Sequence, residues 1–347
     1  MTALHSLRST KDARLIASDI RRLALGEVRL DEDLRAYSRW RSGGRADLVV
    51  APRDKESVSR LLSYFYVQGI PWAVVGEGSN LFFDDAGVHV PLVQIGATLN
   101  RVVIEDCLVR AEAGAWAPGV ALKAMRAGLG GIEHTIGIPG TFGGLVLMNG
   151  GSLRQGIGEH IVEVEIAERD GTLRSISAHA CGFAYRRSTL QYRGSIVLGA
   201  TLALMPRERG PMRRRMVEIM ASRRRRFPRA LPNCGSVFVS DPTLYATFGP
   251  PGSAIEITGL KGAREGDAMV SPQHANFIVN LGHASSANIL ALIQRVRDTV
   301  ASRTGHLMRC EVRFMSSSGE VREVHDWLDD LAWHGARAEP PAEAVHG

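Results

Sequence analysis

Residues 128–158 hold eleven glycines in 31 positions, where ordinary usage gives about two. They stand in GLGGIEHTIGIPGTFGGLVLMNGGSLRQGIG. Glycine takes positive φ at little cost and lets another group approach the main chain closely. Successive N–H groups in such turns form concavities suited to anions. One glycine pair would be read as a tight turn in a β-rich domain; this density points to a cradle for phosphate or a cofactor. An earlier loop, Gly76-Glu77-Gly78-Ser79-Asn80, follows an apolar strand-like run and offers a second cradle. It is not the Rossmann fingerprint, because Leu81 stands where G-x-G-x-x-G needs its third glycine.

Composition bounds the class. The chain has 347 residues, 45% hydrophobic and 22% charged, which suits a globular protein of two or three domains. No run approaches the roughly 18 apolar residues of a membrane helix, and the N-terminus lacks a signal-peptide core. A cytoplasmic protein without membrane insertion is expected. Cys107, Cys181, Cys234 and Cys310 lie far apart with no C-x-x-C, so neither a disulfide framework nor a metal site is expected. Cys234 reads as a small buried thiol.

The net charge of +6 is carried almost wholly by arginine, with lysine only at positions 11, 55, 123 and 261. Arginine is densest over 206–229, with ten arginines against two glutamates. Such a run bears on partners and steering: nucleic acid, a polyanionic small substrate, or simply solvent. Nucleic acid would call for interleaved stacking aromatics, and only Phe227 is near; no nucleic-acid partner is expected.

Periodicity predicts one or two short helices over 1–33. It then gives a strand at 47–52, a helix carrying Val58, Leu61, Leu62 and Phe65, and a strand at PWAVVG, a βαβ unit. Strands follow at 88–95 and 107–113, and a helix at 118–127. Asp170-Gly171 joins two alternating runs as a hairpin. A strand at 195–206 precedes an Arg-rich helix at 211–226 that stops at Phe227-Pro228, a domain boundary. Beyond it come strands at 235–239 and 274–281, a long helix capped by Ser285 or Ser286, a strand in LMRCEVRFM, an amphipathic turn or two around Trp327 and Leu331, and a disordered end at AEPPAEAVHG.

VVGEGSNLFFDD, GIEHTIGIPGTFGGLVLMNGG, FAYRRSTLQYR, NCGSVFVSDP, GLKGAREGDAMVSPQHANFIVN and CEVR occur in this order. The chain thereby resembles the UDP-N-acetylenolpyruvoylglucosamine reductases, the flavoenzymes that complete UDP-N-acetylmuramate for peptidoglycan, over residues 37–314. The resemblance implies an α+β chain: two FAD-binding subdomains of the PCMH, or vanillyl-alcohol-oxidase, type, followed by a C-terminal α+β substrate-binding domain. The divisions expected are an N-terminal helical extension (1–33), FAD-binding subdomains (34–97 and 98–206), a substrate domain (207–316) and a tail (317–347).

It implies non-covalent FAD, with the pyrophosphate held by Gly76, Gly78, Ser79, Asn80 and Leu81 from one loop and Ile138, Pro139, Gly140, Thr141, Gly143 and Gly144 from the other, and with Asn149 and Gly150 beside the flavin. NADPH is the implied co-substrate and a UDP-sugar the implied substrate; the protein itself is expected to be a monomer. Arg186 matches the residue for the substrate carboxylate and the enolate formed from it; Tyr185 would orient substrate or nicotinamide. Ser236 matches the proton donor and Glu311 the glutamate acting on the enolic intermediate. Taken locally, YRRS is an Arg-rich strand end, CGSVF a turn entering a strand, and Glu311 an exposed strand residue.

The sequence departs from the family's pattern in places. Glu77 replaces a small residue, Leu153 an aromatic, and Cys310 a proline. Val239-Ser240-Asp241-Pro242 is one residue longer than the family's lysine-asparagine-proline and lacks the lysine. Arg226 is therefore expected to meet the diphosphate, or Arg229 in its place, with Asp241 and Tyr245 as further substrate contacts. The short segment between Arg186 and Ser236 implies the compact type. A paralogue acting on another sugar nucleotide or specialised metabolite is the alternative these departures leave open.

Overall fold

The structure, a computed structural model, describes residues 10–335, with side chains over 13–330. The first sheet orders its strands Glu27–Asp33, Arg45–Ala51, Leu92–Gln94, Ala73–Val75. The first pair is antiparallel and the others are parallel. Helix Lys55–Val67 starts at Asp54, whose carboxylate accepts the Ser57 N–H at 2.7 Å, and buries Val58, Leu61, Leu62 and Phe65. The parallel pairing and the buried helix face make the expected βαβ unit.

The N-terminal segment corrects the all-helical reading. Thr10–Arg22 is a helix, but Glu27–Asp33 is an edge strand with Val28 opposite Val50 and Leu30 opposite Leu48. Val28 and Leu30 alternate with Arg29 and Asp31, a period of two that suits a strand. Residues 1–9 lie outside the described residues, as does AEPPAEAVHG.

A second sheet is antiparallel throughout, in the order Leu173–Ser177, Ile161–Ala167, Ile196–Ala203, Leu108–Glu112, Val102–Glu105. Its hairpin turns at Gly171, with φ +91°. One apolar core runs from Ile20, Leu61 and Phe65 through Val109, Val164 and Leu202 to Ile219 on helix Arg209–Arg226. A second core holds Trp40, Phe82, Ile289, Val296 and Phe314 beneath helix Ser286–Thr304, whose N-cap is Ser285.

One small sheet couples the two halves of the chain: Leu81–Phe83 runs parallel to Arg313–Met315, which pairs with Val321–Glu323. The strand leaving the first glycine loop is thus fixed beside the segment that carries Glu311. Three strand expectations need correction. Residues 235–239 form only one bridge, Phe238 to Cys310, because the Asn276 side chain takes the Phe238 N–H at 2.9 Å in place of a neighbouring strand. The expected strands at 88–95 and 274–281 shrink to Leu92–Gln94 and Ile278–Asn280. The expected turn near Trp327 is a full helix, Val324–Gly335. No helix among the described residues is long and apolar enough to cross a membrane.

Candidate active site

The two glycine loops lie against each other. A Cβ on Gly76 would sit 2.7 Å from Thr141 Oγ1, and one on Gly140 would sit 2.5 Å from Ser79 Oγ. Gly78 has φ +53°, and a Cβ there would come within 1.8 Å of the Tyr37 carbonyl oxygen, so no other residue fits. Among the described residues, the backbone N–H groups of Glu77, Gly78, Ser79 and Gly140 have no acceptor. Donors left free beside a cleft can hold an anionic ligand. Gly76, Gly78, Ser79, Asn80, Leu81, Thr141, Gly143 and Gly144 line a cavity of about 300 Å³, within the size range of cofactor sites.

Pro139 lines a second cavity, of about 740 Å³, and Ile138 packs against the main core. Asn149, Gly150 and Ser236 are not among the residues lining these cavities or the one that holds Arg186, though Met148, next to Asn149, lines two of the three. Asn149 is buried with φ +42°. Its Nδ2 donates to the Ala184 carbonyl at 2.7 Å and its Oδ1 accepts the Gly158 N–H at 2.8 Å. The amide thus ties the turn before Tyr185 to the backbone at Gly158. Gly150 abuts Leu145, where a Cβ would lie 2.5 Å from Cδ1.

That turn is closed by reciprocal N–H···O bonds of 3.0 Å between Ala184 and Arg187, with Arg186 at φ +56°. The Arg186 guanidinium donates from Nη2 to the Gly151 carbonyl at 2.7 Å. Its Nε lies 2.8 Å from Glu311 Oε1, and its Cζ is 5.2 Å from the Tyr185 ring. Glu311 is held through its own backbone: its N–H donates to the Val237 carbonyl at 2.8 Å, and its carbonyl accepts Asn80 Nδ2 at 2.9 Å. Burial raises the Glu311 carboxyl above its ordinary pKa, and Arg186 opposes that rise. Such a carboxyl can carry a proton closer to neutral pH than an exposed one.

Ser236 is half-buried between Gly235, with φ +83°, and Val237, the residue whose carbonyl receives the Glu311 N–H. Its hydroxyl bonds to none of the described residues. Tyr185, Arg186 and Glu311 share a cavity of about 230 Å³ with Arg309. Met148 lines both this cavity and the glycine-loop cavity, and Glu77 lines both the glycine-loop cavity and the largest one. The glycine-loop cavity thus adjoins both of the others.

The largest compartment is an arginine cleft lined by Arg35, Arg39, Arg41, Arg223 and Arg229. Burial, with Arg226, Arg186 and Arg229 nearby, pulls the Arg223 guanidinium down to about 10. Its Cζ stands 4.8 Å from the Phe227 ring, and among the described residues no carboxylate pairs with it. Arg226 is exposed against the same ring at 5.5 Å and does not line the cleft, so the cleft takes Arg223 in its place. Glu77 is exposed and makes no ion pair among the described residues.

Asp241 caps helix Pro242–Phe248, accepting the Thr243 N–H at 2.9 Å, and Tyr245 is exposed with Arg154 Cζ 5.3 Å from its ring. Neither lines the three compartments. Cys234 is a buried thiol, pushed up to about 12 by burial. Sequence motifs had singled out neither Arg223, nor His134, whose Nδ1 accepts the Ser152 N–H at 3.3 Å, nor His325 beside Glu311. For Arg223 a partial signal existed: Met212, Met216 and Ile219 are the buried residues of its helix, and positions 223 and 226 both continue their spacing.

A family model described as FAD binding domain matches residues 46–177, and one described as UDP-N-acetylenolpyruvoylglucosamine reductase, C-terminal domain, matches residues 227–315. UDP-N-acetylenolpyruvoylglucosamine reductase 1 of Corynebacterium glutamicum is 44% identical over 297 residues, covering 86% of this chain and 89% of that protein. The reductase of Moorella thermoacetica is 39% identical over 286 residues, covering 82% and 92%. A solved UDP-N-acetylenolpyruvylglucosamine reductase from Thermus caldophilus superposes with a TM-score of 0.70 at 31% identity, covering 83% of this chain and 98% of that one. With similarity of this extent running through both glycine loops and the segments around Arg186, Ser236 and Glu311, the chain belongs to the UDP-N-acetylenolpyruvoylglucosamine reductase family.

Proposed function

We propose that this chain converts UDP-N-acetylglucosamine enolpyruvate to UDP-N-acetylmuramate at the expense of NADPH, using a non-covalently held FAD. The observation that carries the proposal is the Arg186–Glu311 pair, 2.8 Å apart, in a compartment that adjoins the glycine cradle through Met148. The cradle fits FAD: the unpaired N–H groups of Glu77, Gly78, Ser79 and Gly140 face no protein acceptor and would hold its pyrophosphate, with Leu81, Gly143 and Gly144 along the wall. FAD, when bound, supplies hydride transfer from NADPH to the carbon–carbon double bond of the enolpyruvyl group.

The protein's own residues do the rest. Arg186, fixed by Gly151 and Glu311, holds the substrate carboxylate and stabilises the charge that grows on it as the double bond is reduced. Ser236 delivers the proton to the α-carbon; a hydroxyl is a weak acid, and the basicity of the enolate makes the transfer feasible. Glu311, its pKa raised by burial, donates a hydrogen bond or proton to the enolic oxygen. Arg223 supplies the cation that the segment after Ser236 lacks, since a buried diphosphate needs a charge-assisted partner.

Steady-state NADPH oxidation by the purified yellow protein tests this. Turnover is expected with the enolpyruvyl sugar nucleotide and not with simple enones. Turnover of other enones without the sugar nucleotide would contradict it.

A further inference from the structure

The C-terminal family match stops at residue 315, but the chain continues through strand Val321–Glu323 and helix Val324–Gly335. This addition is built into the site. Arg297, 1% exposed, donates from Nη1 and Nη2 to the Asp329 carboxylate at 2.9 and 3.3 Å, and from Nε to the Met308 carbonyl at 3.0 Å. The Val324 N–H donates to the Val312 carbonyl at 3.1 Å. So anchored, the addition places Glu323, His325 and Asp326 in the wall of the compartment that holds Arg186 and Glu311.

Cys310 is 1% exposed, so its N–H needs an acceptor inside the protein. That acceptor is Nδ1 of His325, at 3.1 Å. The bond requires a lone pair on Nδ1, which places the ring proton of the neutral imidazole on Nε2, 3.7 Å from Asp326 Oδ1. We infer that neutral His325 is a positioning residue for Glu311: by holding the peptide that joins Cys310 to Glu311, it keeps the Glu311 carboxyl opposite Arg186. This rests on the role given to Glu311 under Proposed function.

Burial pushes the His325 imidazole below its usual range, with Asp326, Glu323 and Asp329 raising it and Arg297 lowering it. Arg186, Arg187, Arg309 and Glu311 face the same compartment. A second proton on the ring would set a donor against the Cys310 N–H, so the bond exists only above the imidazole pKa.

The test compares His325→Ala and His325→Asn with the unaltered holoenzyme. The Asn Oδ1 can take the place of Nδ1 but does not titrate. Two readouts are used: amide exchange of the Cys310 N–H by mass spectrometry, and the pH profile of kcat. His325→Ala should lose Cys310 protection and lower kcat about 10-fold, the size of one lost buried hydrogen bond, with KM for NADPH within about twofold. His325→Asn should restore protection and most of kcat, and should lose the part of the acid limb due to His325. Wild-type protection and kcat in His325→Ala would overturn the inference, as would His325→Asn being as impaired as His325→Ala. If the unaltered protein does not turn over the sugar nucleotide, the functional reading fails, and Cys310 exchange still decides the positioning bond.

Discussion

Arg186 Nε stands 2.8 Å from Glu311 Oε1, and the same guanidinium donates to the Gly151 carbonyl at 2.7 Å. One side chain therefore ties the turn at 184–187, the glycine-rich segment and the segment before strand Arg313–Met315 into one corner. Because Asn80 Nδ2 also holds the Glu311 carbonyl, the Arg186–Glu311 corner and the glycine cradle share a backbone anchor.

Arg186→Gln should lower kcat with the enolpyruvyl substrate by about 10²–10³, the usual loss for a donor aimed at developing charge. Arg186→Lys should recover little, because a point-like ammonium cannot span both Gly151 and Glu311. Steady-state kinetics on the two variants check this; full recovery by lysine would show that charge alone suffices.

Arg223→Ala should raise KM for the UDP-sugar substrate about 10- to 100-fold, from the roughly 1.5–3 kcal/mol of a charged hydrogen bond, and Arg226→Ala should leave it nearly unchanged. The triple replacement of Arg213, Arg214 and Arg215, all exposed, should alter only salt dependence. Substrate titrations of the three variants separate these outcomes.

The cleft, lined by Arg223 and by the expected alternative Arg229, shows what the sequence could and could not carry. The need for a cation follows from the missing lysine, a local fact. Which arginine meets the cleft is not given by helix phase, since positions 223 and 226 both continue the stripe of Met212, Met216 and Ile219; the packing at the end of the helix puts Arg223 in the cleft and leaves Arg226 outside. The glycine loops were legible because close contact demands glycine, as at Gly78 and Gly140. The structural partners of Asn149, Ala184 and Gly158, were not legible because they are brought to it only by the fold. His325 lies past the last recognisable motif, and its role depends on the helix docking against Arg297.

His134 is 3% exposed, and burial pulls its imidazole down to about 4 from an ordinary 6.5. Glu159 and Glu133 oppose that shift, while His160 and Arg186 add to it. The unfolded chain then binds a proton between these values that the folded chain does not, so stability falls as pH drops from about 6.5 to about 4. A shift of this size corresponds to about 3 kcal/mol. Denaturant unfolding across that range should show the loss, and His134→Asn should flatten it.

The half-reactions of Ser236→Ala test the central claim most directly. In stopped flow, reduction of the flavin by NADPH should run near the unaltered rate, because no proton goes to a substrate carbon in that step. Reoxidation by the enolpyruvyl sugar nucleotide should slow by about 10²–10⁴, the usual range for a lost general acid. Equal slowing of both half-reactions, or of neither, would contradict the assignment of the proton to Ser236.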